Sequence, residues 1–526
     1  MPVHFGVHQT SPKDIHTLVI YGTFIDAPTP YELRLRRRHV CVIDVIKGKI
    51  RKLEPWDQMN SQFSFPKDVT GHDKHDHKLP QGWQRLIMKE TQAIAVGVID
   101  CHIHAAQFNQ LGTNTDIPLM EWLTKYTFPE ESAFKDPAHC TQTYTKLLSR
   151  LLRNATTTAV YYASNHLSSA KILAETAAAY GQRAYVGKTC SDQLVPDYYV
   201  ETTKQSVAET EEFLQWVKGK WGGNTDGHDS REALVKAVIT PRFVPTCSWE
   251  LLKELGRLAK EYDAFVQTHV AESVDEVMLV AEQHPELQRD IKILEETGLL
   301  TDRTILDHCT HLSDTEVGEI VRKDAGIVCC PYSNMLFARS VVNVPRYYNP
   351  PPPPDGRFSI ENAHPNLSLR KIALGTDIAG GPSPSMWVNM RLAIIQDRIP
   401  SFRNMSEYPE KDSPGVIKEP PTWLMTHTYT YHLATVGGAA IIGMSDLLGV
   451  FEVTRLFDAF LVDWAVEDGE QAFDIPAVVH RNETEEQWEE RVRSGWERFV
   501  MGGDDRNIIQ VWVNGKEVCR RTMTRA

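Results

Sequence analysis

The chain has 526 residues, enough for one large domain and a smaller one. Its formal net charge of −13 argues against nucleic acid or an anionic membrane as the main partner. The nine cysteines are scattered and form no Cys-x-x-Cys pair. The sequence has no N-terminal signal pattern and no apolar run of about 18 residues. We therefore expect a cytoplasmic protein without a membrane span.

Residues 1–93 are predicted to be the N-terminal part of a small β-sandwich domain. A strand is predicted at 16–24, followed by a hairpin at 40–50 with Gly48 in its turn. The stretch 71–77 is rich in histidine and aspartate. We interpret it as a solvated loop rather than a metal site, because no apolar strand or helix frames it.

From residue 94 to 444 short apolar runs alternate with helical patterns, for example at 202–216 and 249–262. Eight strand–helix units in a row are typical of an α/β protein of the (β/α)8 TIM-barrel type. Two polar stretches, 222–230 and the proline-containing 343–360, are predicted to be surface loops. The eight predicted strands cover 94–104, 156–163, 183–190, 235–243, 264–272, 304–309, 325–331 and 371–377.

Polar residues stand at the carboxyl ends of several predicted strands. His102 and His104, at positions i and i+2 of the first strand, can face the same side. The active sites of such barrels lie at this end of the strands, so His269, His308 and Asp377 should converge on the pair. Zinc held by three histidines with an open position lowers the pKa of bound water to about 7, and Asp377 could bind the metal and accept a proton.

Glu272 follows the fifth predicted strand, three residues after His269. A carboxylic acid at that place could protonate a substrate and pass protons on. The alternative is a negative charge at the N-terminus of the next helix.

After residue 444 the chain returns to β-structure. Strands are predicted at 449–453 and 457–462, a charged helix at 483–499, and a hairpin at 511–518 around Asn514-Gly515. We expect residues 445–526 to form the C-terminal part of the β-sandwich and to pair with the N-terminal strands.

Residues 97–104 resemble the first-strand signature of the amidohydrolase superfamily of metal-dependent hydrolases. Within that superfamily the chain resembles the guanine deaminases over nearly its whole length. One departure is Cys329, where such enzymes usually have a histidine that is not among the expected metal ligands. The stretches that carry the closer resemblance are 105–107, 116–129, 240–243, 268–272, 374–381 and 503–508.

The resemblance implies a role for each matching residue. One zinc ion per chain is expected, because a lysine that bridges two metals belongs on the fourth strand, where this chain has Arg242; Lys188, on the third strand, is then an ordinary lysine. Arg242 could donate to the guanine carbonyl oxygen, Gln107 could pair with a ring edge, and Phe243 offers a π-face. The implied zinc ligands are His102, His104, His269 and Asp377; the catalytic residues are Glu272, Asp377 and His308, the last beside the metal-bound water; the substrate-binding residues are Gln107, Arg242, Phe243 and Glu272.

The implied activity is zinc-dependent hydrolytic deamination of guanine to xanthine and ammonia, in guanine catabolism, by a homodimer that binds neither nucleic acid nor membrane. Pro382 and Pro384 remove backbone donors after the glycine-rich turn 379–381, which favours a nucleobase over a nucleotide. Two alternatives remain: another amidohydrolase acting on a cyclic amide, a related purine or a triazine, and a catalytically inactive scaffold. Gln107, Arg242 and Phe243 favour guanine, and the complete set of metal-site residues argues against a scaffold.

Overall fold

The computed structural model describes residues 5–6, 15–59, 80–222, 230–348, 368–399, 425–465 and 483–521. The predicted solvated loop at 71–77 lies outside these residues, as do most of the predicted loops at 222–230 and 343–360.

Eighteen strands occur in the described part of the chain. They are β1 Phe5–Gly6, β2 Thr17–Thr29, β3 Glu32–Asp44, β4 Lys49–Pro55, β5 Trp83–Ile87, β6 Gln92–Val96, β7 Val98–His104, β8 Thr156–Tyr162, β9 Arg183–Gly187, β10 Thr189–Cys190, β11 Val235–Pro241, β12 Phe265–Val270, β13 Thr304–His308, β14 Gly326–Cys329, β15 Ile372–Leu374, β16 Ala459–Asp463, β17 Ile508–Val513 and β18 Lys516–Arg521.

The same described ranges contain sixteen α-helical segments, several of them a single turn. They are α1 Trp56–Met59, α2 Leu119–Trp122, α3 Phe128–Ser132, α4 Pro137–Arg153, α5 Leu167–Tyr180, α6 Thr203–Trp221, α7 Trp249–Tyr262, α8 Val274–Gln283, α9 Asp290–Glu296, α10 Asp314–Lys323, α11 Pro331–Ser333, α12 Val344–Tyr347, α13 Met386–Gln396, α14 His427–His432, α15 Gly438–Ile441 and α16 Glu485–Gly502. Short 3₁₀ or π turns lie at Ala105–Gln110, Leu123–Thr127, Ala133–Lys135, Ser230–Glu232, Val244–Thr246, Asn334–Ala338 and Leu433–Gly437.

The predicted barrel is confirmed. Its parallel strands follow the order β7-β8-β9-β11-β12-β13-β14-β15, and the short β10 pairs beside β11. The ring closes at its carboxyl end, where Asp377 N donates to His102 O at 2.9 Å and His104 N donates to Ile378 O at 2.8 Å. Gly375 permits this approach, since a Cβ atom there would lie 2.6 Å from His102 Cβ. The closure therefore places Asp377 beside the two histidines of β7.

The two ends of the chain meet in a second sheet, as predicted. Its order is β1-β18-β17-β16-β6-β2-β3-β4, with β5 on β2, so the described strands are hydrogen-bonded into one mostly antiparallel sheet. The β3–β4 hairpin turns at Gly48, with φ of +69°, and the β17–β18 hairpin at Asn514 and Gly515, with φ of +48° and +69°. The division of the chain at 93/94 and 444/445 stays a prediction.

Three predicted strands differ from the structure. The predicted third strand at 183–190 is two strands, β9 and β10, separated at Lys188. The predicted first strand at 94–104 is two strands, because the chain breaks at Gly97: β6 belongs to the outer sheet, and β7 begins the barrel. A Cβ atom at Gly97 would lie 2.2 Å from the Thr157 side chain, so the chain needs glycine where it passes from β6 to β7. The predicted strand at 449–453 is wrong: that segment is irregular, and Phe451 N donates to the Asp26 carboxylate at 2.8 Å instead of to a neighbouring strand.

Helix α7 illustrates how sequence sets the outer layer of the barrel. It begins after Ser248, whose hydroxyl accepts from Leu251 N at 3.2 Å, and it ends at Asp263, which has a left-handed φ of +50°. The leucines of one face, such as Leu255, are buried against the barrel. The prediction at 249–262 is confirmed to the residue. None of the helices within the described ranges is both long and apolar enough to cross a membrane.

Candidate active site

Five polar residues predicted from the sequence meet at the carboxyl mouth of the barrel. His102 and His104 end β7, His269 lies on β12, His308 ends β13, and Asp377 follows β15. His308 and Asp377 adopt left-handed φ values of +69° and +49°, which are uncommon for residues other than glycine. Backbone strain of this kind concentrates where a fold has to aim a side chain, and here it occurs at the strand ends.

The side chains of these residues are within ligand distance of one another. His102 Nε2 lies 3.1 Å from Asp377 Oδ1, and His104 Nε2 lies 3.5 Å from the same oxygen. The Nε2 atoms of His104 and His269 are 2.9 Å apart. His308 Nε2 lies further out, 4.0 Å from Asp377 Oδ2. The donor atoms form three overlapping groups, each within 4.8 Å: His102, His269 and His308; His102, His104 and Asp377; Glu272, His308 and Asp377.

The remaining ring nitrogens of three histidines face acceptors outside this centre. His269 Nδ1 lies 2.6 Å from Arg242 O, His308 Nδ1 lies 2.8 Å from Asn334 Oδ1, and His102 Nδ1 lies 2.9 Å from Asp307 Oδ2. Such contacts orient an imidazole and direct its other nitrogen to a metal. The buried Nε2 atom of His308 has no hydrogen-bond partner among the described residues, as expected for an atom that faces a metal ion or a water molecule.

The electrostatics of the cluster also suit a cation. Burial and neighbouring imidazoles hold the pKa of His104 and His269 well below the usual range, so both rings stay neutral, the form that binds metals. Burial alone would lower the pKa of His102, but the carboxylates of Asp307 and Asp377 outweigh it and raise the pKa to about 10. The centre therefore favours positive charge, and a divalent metal ion fits the residues present.

Glu272 lines the same cleft beside His308. Its Oε2 lies 3.7 Å from His308 Nε2. Burial, with the charge of Asp377, raises the pKa of Glu272 to about 8, so the carboxyl group holds a proton at neutral pH. The N-terminus of α8 is satisfied by other groups: Ser273 Oγ accepts from Glu276 N at 3.2 Å, and Glu276 Oε2 accepts from Glu272 N at 2.8 Å. The side chain of Glu272 is thus left for the cleft.

The cleft continues from the metal ligands to Gln107, Arg242 and Phe243, all of which line it. Its free volume is about 410 Å³, including the open mouth. The aromatic rings of Trp122 and Phe337 pack with their centroids 5.0 Å apart and form an apolar wall. A flat, polar-edged molecule of the size of a nucleobase suits a cleft with aromatic walls and amide and guanidinium donors.

Lys188 lies away from this centre. It is buried, its ammonium group donates to the Glu201 carboxylate, and Glu209 is 3.8 Å away. The structure therefore gives Lys188 a structural ion pair.

The sequence did not identify three residues that contact the side chains of the site and orient them: Asp307, Asn334 and Glu131. Asp307 directly precedes His308 and also accepts from Tyr162 OH at 2.6 Å; a charged residue inside an apolar strand was a usable signal. Asn334 lies in the 329–334 stretch that departs from the usual pattern. Glu131 gave no signal, because it lies on the short helix α3 between the first two barrel strands, where an exposed glutamate would be ordinary.

The chain is similar in sequence and fold to known proteins of one family. The model of the Amidohydrolase family matches residues 93–518. Guanine deaminase from Dictyostelium discoideum is 35% identical over 422 residues, which cover 80% of this chain and 81% of that protein. Guanine deaminase from Mus musculus is 32% identical over 507 residues, covering 95% and 96%. The crystal structure of guanine deaminase from C. acetobutylicum with bound guanine has a TM-score of 0.72 and 27% identity, and the match covers 95% of this chain and 99% of that one.

Proposed function

The chain belongs to the amidohydrolase family, and from that premise we propose that it is a zinc-dependent enzyme that hydrolyses guanine to xanthine and ammonia in guanine catabolism. The observation that carries the proposal is the meeting, at one barrel mouth, of a metal-ligand set with Gln107, Arg242 and Phe243. The identity of 32% to mouse guanine deaminase over 95% of this chain supports the same substrate.

We assign one zinc ion per chain to His102, His104, His269 and Asp377. Imidazole nitrogen with a carboxylate oxygen is a ligand set that zinc accepts readily. The chemistry that zinc supplies in such a site is Lewis-acid activation of water.

Glu272 is the proton carrier of the proposed reaction. Deamination breaks the bond between C2 of guanine and its amine, and forms a bond between C2 and a water oxygen. One water proton leaves with the amine as ammonia, and the other stays on the ring of xanthine. Burial and the charge of Asp377 raise the pKa of Glu272 to about 8, which suits a carboxyl group that gives a proton to the ring nitrogen next to C2 and recovers one from water. His308, 3.7 Å from Glu272, lies where it can stabilise the reacting water.

The base would lie between these groups and the far end of the cleft. Arg242 donates to the carbonyl oxygen at C6 of guanine, Gln107 pairs with a ring edge, and Phe243 stacks on the ring face. This orientation turns C2 and its amine towards Glu272. A homodimer and a cytoplasmic location are further proposals that rest on family resemblance alone.

The test is a substrate comparison with the purified, zinc-loaded protein. We expect loss of guanine absorbance with release of one ammonia per guanine, and little or no turnover of adenine, cytosine or hydantoin. Glu272→Gln, which keeps the shape of the side chain, is the matched inactive control. Turnover of hydantoin or adenine in place of guanine would assign the chain to another amidohydrolase reaction, and no turnover of any of these compounds would contradict the proposal.

A further inference from the structure

Glu131 on α3 is a buried carboxylate at the back of the base-binding end of the cleft, with no exposed surface. Its Oε1 accepts from Gln107 Nε2 at 2.8 Å. Its Oε2 accepts from Arg242 Nη1 at 2.7 Å and from Tyr199 OH at 2.8 Å. Three side chains from three separate segments therefore meet on one carboxylate, and Glu131 itself is not among the residues that line the cleft.

The contact with Arg242 fixes both the charge and the plane of the guanidinium group. Arg242 is only 3% exposed, so its positive charge needs a partner inside the protein, and Glu131 provides it. The guanidinium carbon also lies 5.2 Å from the ring centroid of Phe128, a residue of the same helix α3. One short helix thus holds Arg242 by a carboxylate at its edge and a ring on its face, and the other N–H groups of Arg242 remain for the cleft.

The contact with Gln107 fixes the orientation of an amide that could otherwise turn over. A carboxylate only accepts, so the atom of Gln107 facing Glu131 is the nitrogen. The opposite atom accepts from the backbone N–H of Ala379 at 3.2 Å, so it is the oxygen. Both ends of the amide are determined by neighbours that have a single hydrogen-bonding character. Gln107 can then offer a ligand only one arrangement of donor and acceptor.

We propose that Glu131 is a positioning residue that sets the hydrogen-bonding polarity of the whole base-binding end, by orienting Gln107 and Arg242 together. The inference rests on the proposed function, since it names the group that selects the edge of guanine. One acceptor behind the cleft makes both side chains in front of it present a fixed pattern. A base with a different order of donors and acceptors then leaves a buried group unpaired, which is costly.

The test is Glu131→Gln, a change of the same size that removes the charge and allows the amide of Gln107 to turn over. We expect KM for guanine to rise about tenfold or more while kcat changes less than about threefold, because binding rather than chemistry is disturbed. Metal content should equal that of the wild type. In the double variant with Arg242→Met, Glu131→Gln should add little further loss, since both act on one interaction.

Asp458→Asn provides a matched control. Asp458 is another buried carboxylate paired with a buried arginine, Arg183, at 3.3 Å, far from the cleft. The Asp458→Asn substitution should lower the melting temperature and leave KM for guanine unchanged. Tyr199→Phe removes the hydrogen bond to Glu131, together with the oxygen that accepts from Asn165 N at 3.0 Å, and should raise KM severalfold.

The outcomes separate this inference from the proposed function. A wild type that does not deaminate guanine overturns the proposed function and this inference with it. An active wild type overturns the inference alone if Glu131→Gln keeps the wild-type KM, or if its loss multiplies independently with that of Arg242→Met. Where Glu131→Gln fails to fold, an unchanged KM in Tyr199→Phe overturns the inference, and a raised KM supports it.

Discussion

The barrel mouth and the outer sheet both bury charged residues, but they satisfy them differently. In the sheet, Asp26 has no exposed surface and accepts from Arg34 at 2.8 Å, from Arg36 at 3.1 Å and from Phe451 N at 2.8 Å. At the mouth, the buried Nε2 atom of His308 has no hydrogen-bond partner in the described part of the chain. A complete set of partners stabilises the fold, whereas an incomplete set leaves a place for something the chain does not contain.

Function in this fold resides where buried polar groups lack partners within the chain. The charge of a carboxylate such as Asp26 is compensated by its cations, and nothing further is required of it. The mouth has an excess of acceptors and nitrogen lone pairs around one point, and it is completed only by a cation and a substrate. Changes to mouth residues that lack a charged partner within the protein, such as Glu272, should therefore alter activity with little change in stability, and changes in the sheet should do the reverse.

Metal removal is the strongest way to test this contrast. Taking out the cation should abolish guanine turnover, because the water is no longer activated and the carboxylates around His102 are left uncompensated. Elemental analysis of the active protein should give one zinc per chain, and added zinc should restore activity to the chelated protein. Two tightly bound metals per active chain, or turnover after complete removal, would contradict the assignment.

Glu272→Gln is expected to have the next largest effect. The amide keeps the shape of the side chain but cannot donate and recover a proton, so kcat should fall roughly a hundredfold or more. Zinc content and melting temperature should stay at wild-type values, because Glu272 is outside the proposed ligand set. Asp275→Asn, an exposed acid on the first turn of α8, is the control and should stay within about twofold. Near-normal turnover by Glu272→Gln would remove this residue from the mechanism.

Arg242→Met should reduce kcat/KM for guanine by a smaller factor. The change removes a charge-assisted hydrogen bond to the carbonyl oxygen at C6 while roughly keeping the length of the side chain. A loss of about 2 kcal/mol of transition-state binding corresponds to roughly thirtyfold. Adenine, which carries an amine at C6, should be a very poor substrate of the wild type. An unchanged guanine turnover in the variant, or a wild type that prefers adenine, would show that this placement of the purine is wrong.

The sequence predicted the parts of the molecule that depend on local pattern. Strand ends in a parallel barrel meet at one edge, so His102, His104, His269, His308 and Asp377 could be placed together without knowing the packing. The turns at Gly48 and Asn514-Gly515 could also be predicted from local sequence, because their positive φ values favour particular residues.

Other features could not be read from pattern because they depend on contacts between distant segments. At the break between β6 and β7, position 97 has no room for a side chain, because Thr157 occupies that space. The segment at 449–453 contains residues that favour strands, but the backbone N–H of Phe451 donates to Asp26, more than 400 positions earlier. Glu131 is invisible for the same reason: its role is set by three side chains that only the folded barrel brings together.

Asp26→Asn should have the smallest effect on activity of these variants, although it changes a residue as buried as any metal ligand. The substitution leaves an amide against Arg34 and Arg36, and it turns one acceptor into a donor that faces their N–H groups. Both arginines are partly exposed, at 28% and 14%, so water offsets part of the loss, and a destabilisation of roughly 2 kcal/mol is expected, below the usual range for a fully buried pair. The melting temperature should fall, and kcat/KM for guanine should stay within about twofold.

Asp44→Asn is the matched control for Asp26→Asn. Asp44 pairs with Arg51, which is 54% exposed, so loss of this ion pair should cost less than about 1 kcal/mol. A large drop in kcat/KM without a drop in melting temperature would contradict the contrast, because it would show that the sheet takes part in catalysis.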